Sequence, residues 1–147
     1  MFGGVNLGGV KLFDEVGLVG ICCVSKLINN LFMKRITELT NKIIAFRDER
    51  DWKQFHNPKD MALSLVLEAN EVMEHFQWKN NEEMEKYALD KKEEIGEELA
   101  DVLYWVLLMS NDMGIDVVDA LERKIVKNAE KYPVEKAKGK NKKYTEL

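Results

Sequence analysis

The chain has 147 residues, of which 46% are hydrophobic and 33% charged, a balance typical of one globular domain and not of a disordered segment. Its net charge of -4 argues against a nucleic-acid partner, because binding to a phosphate backbone needs a clear basic excess. Nine glycines and two prolines are too few for a many-stranded β protein, so the composition favours long helices.

Residues 1–32 differ in composition from the rest of the chain. They hold most of the glycines and an apolar run over residues 16–24, which is shorter than the about 20 residues that span a bilayer. We predict an N-terminal extension over residues 1–32, either upstream translated sequence or a peripheral segment, and one domain over residues 33–147. A membrane-surface segment is the alternative for the extension. Cys22 and Cys23 are adjacent and frame no disulfide scaffold, so we expect a cytoplasmic protein without a membrane partner.

From Met33 onward, apolar residues recur with the 3.6-residue period of amphipathic helices. The first helix is predicted to run to about Arg50. Its apolar face consists of Ile36, Leu39, Ile43 and Phe46. Asn57 followed by Pro58 indicates the start of a second helix, with Asn57 as the N-cap and proline at the first helical position. This helix is predicted to continue to about Trp78.

Local signals divide the rest of the chain into further helices. Asn80 breaks the second helix, and a short polar helix is predicted over residues 82–89. Asp90 with Glu93 resembles a capping box, which predicts a long helix from there to the residue before Gly114. Asp116 is predicted to cap a last helix that ends before residue 133, and the basic tail is expected to be loosely ordered. No strand pattern is present, so the predicted fold is an all-α helical bundle.

Two acidic pairs occupy unusual positions on these helices. Glu68 and Glu71 lie on a stripe of the second helix between two apolar flanks, although surface glutamates are the commoner reading of such a pair. Asp101 is the one charge in the apolar run over residues 99–109, and Glu98 lies one turn earlier on the same face. An unpaired buried carboxylate is strongly unfavourable. A salt bridge to a lysine would satisfy Asp101, whereas a metal ion shared by both pairs would account for more residues.

The donors in these pairs are all oxygens, which favours Mg²⁺ or Mn²⁺ over Zn²⁺. A di-iron carboxylate bundle needs Glu-x-x-His on two helices, and the spacing from Glu71 to His75 does not fit. The last helix supplies the opposite charge. Lys124, Asn128 and Lys131 follow one of its faces, as a triphosphate chain would require, although a lysine stripe is usually a solvated surface.

At these residues the sequence resembles the MazG-like nucleotide pyrophosphohydrolases, and within them the dCTP pyrophosphatase branch. The family signature, E-x-x-E on one helix and E-x-x-D on the next, is present as residues 68–71 and 98–101. Further matches are the segments 49–52, 54–56, 76–79, 132–133 and 143–147. The resemblance covers roughly residues 36–147 and leaves out the first 32.

The resemblance implies a fold, an activity and a set of site residues. The implied fold is a bundle of the all-alpha NTP pyrophosphatase type, a homotetramer or dimer whose protomers share core helices. The implied reaction is hydrolysis of (deoxy)nucleoside triphosphates, possibly dCTP-like, to the monophosphate and pyrophosphate, for nucleotide pool control or housecleaning. Bound Mg²⁺ would activate the attacking water. The metal-binding and catalytic residues would be Glu68, Glu71, Glu98 and Asp101.

Matching positions also imply a nucleotide site. The substrate-binding residues would be Trp52, Trp78, Trp105, Lys124, Asn128, Lys131 and Tyr132. Two positions depart from the dCTP-specific relatives. Ile43 stands where some of them carry a histidine near the base, and Trp105 stands where they have a tyrosine close to the metal-site helix.

Two other functions fit part of the pattern. A non-catalytic, oligomeric helical interaction protein would pair the acids with the lysines, and would explain the periodicity and the charge balance. A nucleotide-binding protein without turnover would use the same metal site. The interaction-protein hypothesis would not explain why the tryptophans lie near turns or why the motifs occur in this order.

Overall fold

The computed structural model describes residues 15–147, with side chains from residue 30 onward, and in this part of the chain contains six α-helices and no strand. The helices are α1 (Glu15–Asp48), α2 (Pro58–Glu74), α3 (Asn81–Asp90), α4 (Lys92–Asp112), α5 (Val117–Lys131) and α6 (Val134–Ala137). Two 3₁₀ turns are present, Trp52–Phe55 and Tyr144–Glu146. The prediction of an all-α fold is therefore confirmed.

The chain divides into two compact units, Met1–Leu39 and Thr40–Leu147. Helix α1 begins at Glu15, upstream of Met33, because neither proline nor a helix-ending cap interrupts the sequence there. Residues 1–14 of the predicted extension lie outside the described residues. Among the described helices, none is both long enough and apolar enough to cross a bilayer.

Three predicted helix ends are confirmed by local hydrogen bonds and backbone geometry. The Asn57 side chain accepts a hydrogen bond of 3.0 Å from the backbone N–H of Asp60, and Pro58 is the first residue of α2. Asp116 accepts from two backbone N–H groups at the start of α5. Gly114 has φ 65°, the left-handed conformation that glycine adopts without a steric cost after a helix.

The predicted capping box at Asp90 and Glu93 is wrong. Asp90 is the last residue of α3, and Lys91 precedes α4 without a side-chain cap. The capping box lies at the start of α3 instead. There Asn80 accepts from the backbone N–H of Glu83, and the Glu83 carboxylate accepts from the backbone N–H of Asn80.

The second helix also ends earlier than predicted. Helix α2 stops at Glu74, and a turn follows in which Trp78 has φ 68°. A bulky residue is rare in this left-handed region, so the helix cannot continue through it. The tail, in contrast, is more ordered than expected. It contains α6, and the Tyr144 ring lies 6.0 Å from that of Tyr132 with the Lys131 ammonium 5.1 Å from its centroid.

Helices α2 and α4 form the main packed pair of the second unit, and α3 adds a smaller contact with α4. Their buried apolar residues are Met61, Leu107 and Leu108. Arg47 at the end of α1 is also buried and forms ion pairs with Asp48 (2.8 Å) and Asp112 (2.6 Å). This is a small core for the residues from 30 onward, whose burial the structure describes.

The apolar run of α4 is not buried on every side within one chain, contrary to the expectation from its sequence. Leu103 is 44% exposed, and Leu99 is exposed as well, because α2 covers one side of α4. Helix α5 packs extensively against no other helix in the described part of the chain, and Leu121 and Ile125 on it are exposed. Large apolar surfaces therefore remain uncovered in the single chain.

Candidate functional site

Three carboxylates meet between α2 and α4. Glu68 on α2 and Glu98 and Asp101 on α4 each offer an oxygen atom, and these atoms lie within 4.8 Å of one another. The spacing of three residues between Glu98 and Asp101 places both on one face of α4, and the packing of α4 against α2 brings that face to Glu68. The structure therefore joins the two predicted acidic stripes in one cluster.

Glu71 belongs to the same acidic region. The negative charge of Glu98 raises the pKa of the Glu71 carboxyl, and desolvation, a hydrogen bond with Glu98 and the charges of Glu74 and Asp101 add to the effect. Like charges that crowd together in this way favour either protonation or a bound cation. Glu71 thus lies beside the cluster without being one of the three carboxylates whose oxygens lie within 4.8 Å of one another.

The expectation that Asp101 is buried is wrong for the single chain. Asp101 is exposed, while Glu68 and Glu98 are half-buried, because no helix of the described residues covers the surface of α4 around Asp101. No lysine forms an ion pair with Asp101 among the described residues. Carboxylate oxygens are the only donors in the cluster, which suits a hard divalent cation and not a thiolate- or imidazole-binding metal.

A cavity of about 660 Å³ opens beside the acidic cluster. Its lining consists of Lys42, Ile43, Phe46, Trp52, His56, Glu68, Asp101, Tyr104 and Trp105. Glu68 and Asp101 thus belong both to the cavity and to the cluster. A lining of aromatic rings with a few charged groups suits a flat organic ring joined to a charged group.

The chain between α1 and α2 supplies one aromatic wall. Asp51 has φ 54°, and this left-handed residue turns the chain into the 3₁₀ turn that begins at Trp52. The Phe46 and Trp52 rings meet edge to face at 5.9 Å, and the Arg50 guanidinium lies 3.7 Å from the Phe46 centroid. Gln54 donates a hydrogen bond of 2.9 Å to the Asp51 carboxylate, which stabilises the turn.

His56 and Trp105 connect this wall to the acids. The His56 ring meets the Trp105 ring at 5.3 Å, and the Trp105 indole Nε1 donates a hydrogen bond of 3.3 Å to Glu68 Oε1. Burial lowers the pKa of His56, the charge of Arg47 adds to this effect, and Asp112 opposes it. The His56 Nδ1 atom is buried without a hydrogen-bond partner in the described part of the chain. A neutral imidazole is the form that such surroundings favour.

The MazG-like family model matches residues 63–147, which is more than half of the chain and includes the four acids. The chain belongs to the MazG-like family. This confirms the resemblance inferred from the acidic pairs and their flanking motifs.

Individual relatives of this MazG-like chain support its assignment to the family by sequence and by structure. The dCTP pyrophosphatase 1 proteins of Mus musculus and Homo sapiens are 39% and 38% identical to it over 104 residues, 69% of the chain. The matched region spans 61% of the length of these relatives. A crystal structure of a pyrophosphatase from Archaeoglobus fulgidus is 37% identical and superimposes with a TM-score of 0.65, over 67% of this chain and 93% of the other.

The MazG-like chain brings together some of the predicted nucleotide-binding residues and leaves others apart. Trp52 and Trp105 line the cavity beside the acids. Five others do not line it within one chain: Trp78, Lys124, Asn128, Lys131 and Tyr132. Trp78 is 92% exposed and lines a separate hollow with Lys79 and Tyr87. The α5 residues and Tyr132 are exposed.

Several lining residues of the MazG-like site were not predicted from the sequence. Lys42 and Tyr104 carried no signal beyond helical periodicity, and Phe46 was assigned to an apolar packing face. His56 was noted as part of a motif without a role. The signal that could have found them is the concentration of aromatic and basic residues over 46–56, immediately before a helix that carries two of the acids.

Proposed function

We propose that the protein is a nucleoside triphosphate pyrophosphohydrolase that depends on Mg²⁺, with Mn²⁺ as a substitute. It would cleave the bond between the α- and β-phosphates and release the nucleoside monophosphate and pyrophosphate. The observation that carries the proposal is the cavity that is lined by aromatic rings and also by Glu68 and Asp101 of the acidic cluster. The names of the relatives support a dCTP-like substrate. Hydrolysis of such a triphosphate would serve nucleotide pool control or housecleaning.

Each group of residues has a distinct task in this reaction. Glu68 and Glu71 from α2 and Glu98 and Asp101 from α4 would hold the ion, and are the residues on which catalysis depends. The bound ion would supply an activated water and neutralise phosphate charge. The rings of the cavity stack on the base and exclude water from it. The base end of the nucleotide would then lie among the aromatic rings and its phosphates beside the acids.

We propose that the residues outside the cavity complete the site in an assembly of identical chains. The exposed apolar residues of α4 and α5 support a homodimer or homotetramer, because a single chain buries few of them. Lys124, Asn128 and Lys131 would then contact phosphates, and Trp78 and Tyr132 the nucleoside. Lys131 is held near the Tyr144 ring, which limits the positions its ammonium can take.

We propose further that residues 33–147 carry the activity and that residues 1–32 are a peripheral extension. The matched family region lies entirely within the proposed active part. A reducing cytoplasmic setting is consistent with two adjacent cysteines that cannot frame a disulfide scaffold.

The experiment that tests the function combines product analysis with amide variants. The protein is incubated with a panel of triphosphates and Mg²⁺, and we expect monophosphate and pyrophosphate. Asp101→Asn keeps the side-chain shape and removes the charge, so kcat/KM should fall at least about a hundredfold, or about 2.7 kcal/mol in the barrier. Its melting temperature should be maintained, since the change removes one of several crowded charges. Glu82→Gln, on the exposed start of α3, serves as the control.

Four outcomes would contradict the proposal. Release of orthophosphate would mean that a different bond is cut. Nucleotide binding with no product would indicate a binding protein, and neither binding nor product would indicate an interaction protein. An Asp101→Asn protein that is destabilised yet fully active would show that Asp101 is a structural partner and not a metal ligand.

A further inference from the structure

Trp105 contacts both the aromatic cavity and the acidic cluster. It lies on α4 one turn beyond Asp101, and its ring lines the aromatic cavity. Its indole Nε1 donates a hydrogen bond of 3.3 Å to Glu68 Oε1 on α2. One side chain therefore contacts the space for an organic ring and a carboxylate of the acidic cluster.

The indole is held in place by two neighbouring rings. The Tyr104 ring meets it at 5.3 Å with an interplanar angle of 79°, and the His56 ring at 5.3 Å with an angle of 64°. Edge-to-face contacts of this kind fix the plane of a ring as well as its position. Because the ring plane is fixed, the direction in which the N–H group points is fixed too.

A fixed donor matters for Glu68 because its neighbours carry the same charge. Glu98 and Asp101 repel its carboxylate, and without a partner the side chain would turn away from them. The indole N–H engages one oxygen of Glu68 and leaves the second free for a cation. An indole is also neutral, so it orients the carboxylate without cancelling the negative charge that a cation requires.

We propose that Trp105 is a positioning residue, which holds the Glu68 carboxylate in the geometry that binds a divalent cation. The inference rests on the proposed function, since it takes the acidic cluster to be the metal site. Hydrogen-bond partners of metal ligands typically change metal affinity by about 10- to 100-fold. We expect an effect of this size from the Trp105 N–H group.

The test measures Mn²⁺ binding to the full-length protein without nucleotide, from the electron paramagnetic resonance signal of free Mn²⁺. Trp105→Phe keeps an aromatic ring and removes the N–H, and should weaken Mn²⁺ binding roughly 10- to 100-fold. Trp105→Tyr restores a donor and should recover part of the affinity. Trp52→Phe is the matched control, because Trp52 lines the same cavity but contacts Phe46 and Arg50. It should raise the KM for nucleotide and leave Mn²⁺ affinity unchanged.

A second measurement uses the unaltered protein, in case the Phe variant does not fold. In a nitrogen-15 NMR titration with Mg²⁺, the indole N–H signal of Trp105 should move with saturation, whereas that of Trp78 should not. Normal Mn²⁺ affinity in Trp105→Phe, combined with weakened binding in Glu68→Gln, would overturn the inference and leave the proposed function intact. If the protein binds Mg²⁺ and the Trp105 signal does not move, the inference is likewise overturned and the proposed function is left intact. A wild-type protein that binds neither ion would overturn both.

Discussion

His56 lies where the candidate site meets the interior of the second unit, and its chemistry links proton uptake to folding. Its ring supports Trp105, while its Nδ1 atom is buried without a partner among the described residues. The positive charge of Arg47 on α1 lowers the pKa of His56, and the negative charge of Asp112 on α4 raises it. Burial outweighs the attraction of Asp112, so the folded protein favours the neutral imidazole.

The pH dependence of stability follows from this shift. An exposed histidine in the unfolded chain has a pKa of 6.5, whereas folding lowers the pKa of His56. As the pH falls through that unfolded value, the unfolded chain binds a proton that the folded chain does not, and stability is lost. We expect the free energy of unfolding to fall less between about pH 7 and pH 5 in His56→Phe than in the wild type. Urea unfolding at both pH values measures these free energies. An equal fall from pH 7 to pH 5 in His56→Phe and in the wild type would contradict the prediction.

At the scale of elements, a buried ion pair joins the end of α1 to the end of α4. The Arg47 side chain is 2% exposed and contacts Asp112, whose side chain is 19% exposed. Arg47→Ala would leave Asp112 without its cation and create a void, so it should cost about 3 kcal/mol of unfolding free energy. Urea unfolding of both proteins measures the difference. Arg50→Ala, on the exposed face of the same segment, should cost less than about 1 kcal/mol. Similar losses of unfolding free energy in the two variants would show that the burial of Arg47 contributes nothing to stability.

The element ends show what sequence can and cannot determine. Asn57, Asp116 and Gly114 were correctly predicted because a cap depends on a few neighbouring residues. The boundary between α3 and α4 was misplaced because it consists of the single residue Lys91, which has no capping side chain. The sequence therefore located the boundary to within about one residue but assigned the wrong capping residue.

At the scale of the whole molecule, the exposed apolar residues of α5 support the proposed interface between protomers. Ile125 is 59% exposed and α5 packs weakly on the rest of its chain, so a charge there should disturb assembly more than folding. We expect Ile125→Glu to shift the protein towards monomers in light scattering at micromolar concentration, with its helix content retained. Ile125→Val keeps the apolar surface and should assemble as the wild type does. A wild-type protein that is monomeric under these conditions would contradict the prediction.

The same scale explains how much of the site was predictable. The meeting of Glu68, Glu98 and Asp101 could be anticipated from sequence because a spacing of three residues places acids on one helix face, and their role as metal ligands stays a prediction. The contribution of Lys42, His56 and Tyr104 to the cavity could not be predicted from sequence, because it arises only where α1, the 3₁₀ turn and α4 meet. Periodicity reports which face of one helix is apolar, and it carries no information on which faces meet.

The proposed nucleoside contact of Trp78 would place stability and function in competition at one position of the sequence. Its backbone adopts φ 68°, which is unfavourable for a bulky side chain, and its ring is 92% exposed, so the chain itself gains little from the tryptophan. Asparagine would tolerate this backbone better. A library selected for thermal tolerance alone should therefore discard the tryptophan, whereas one selected for turnover should retain it. Consensus-based stabilisation of this chain should leave position 78 unchanged.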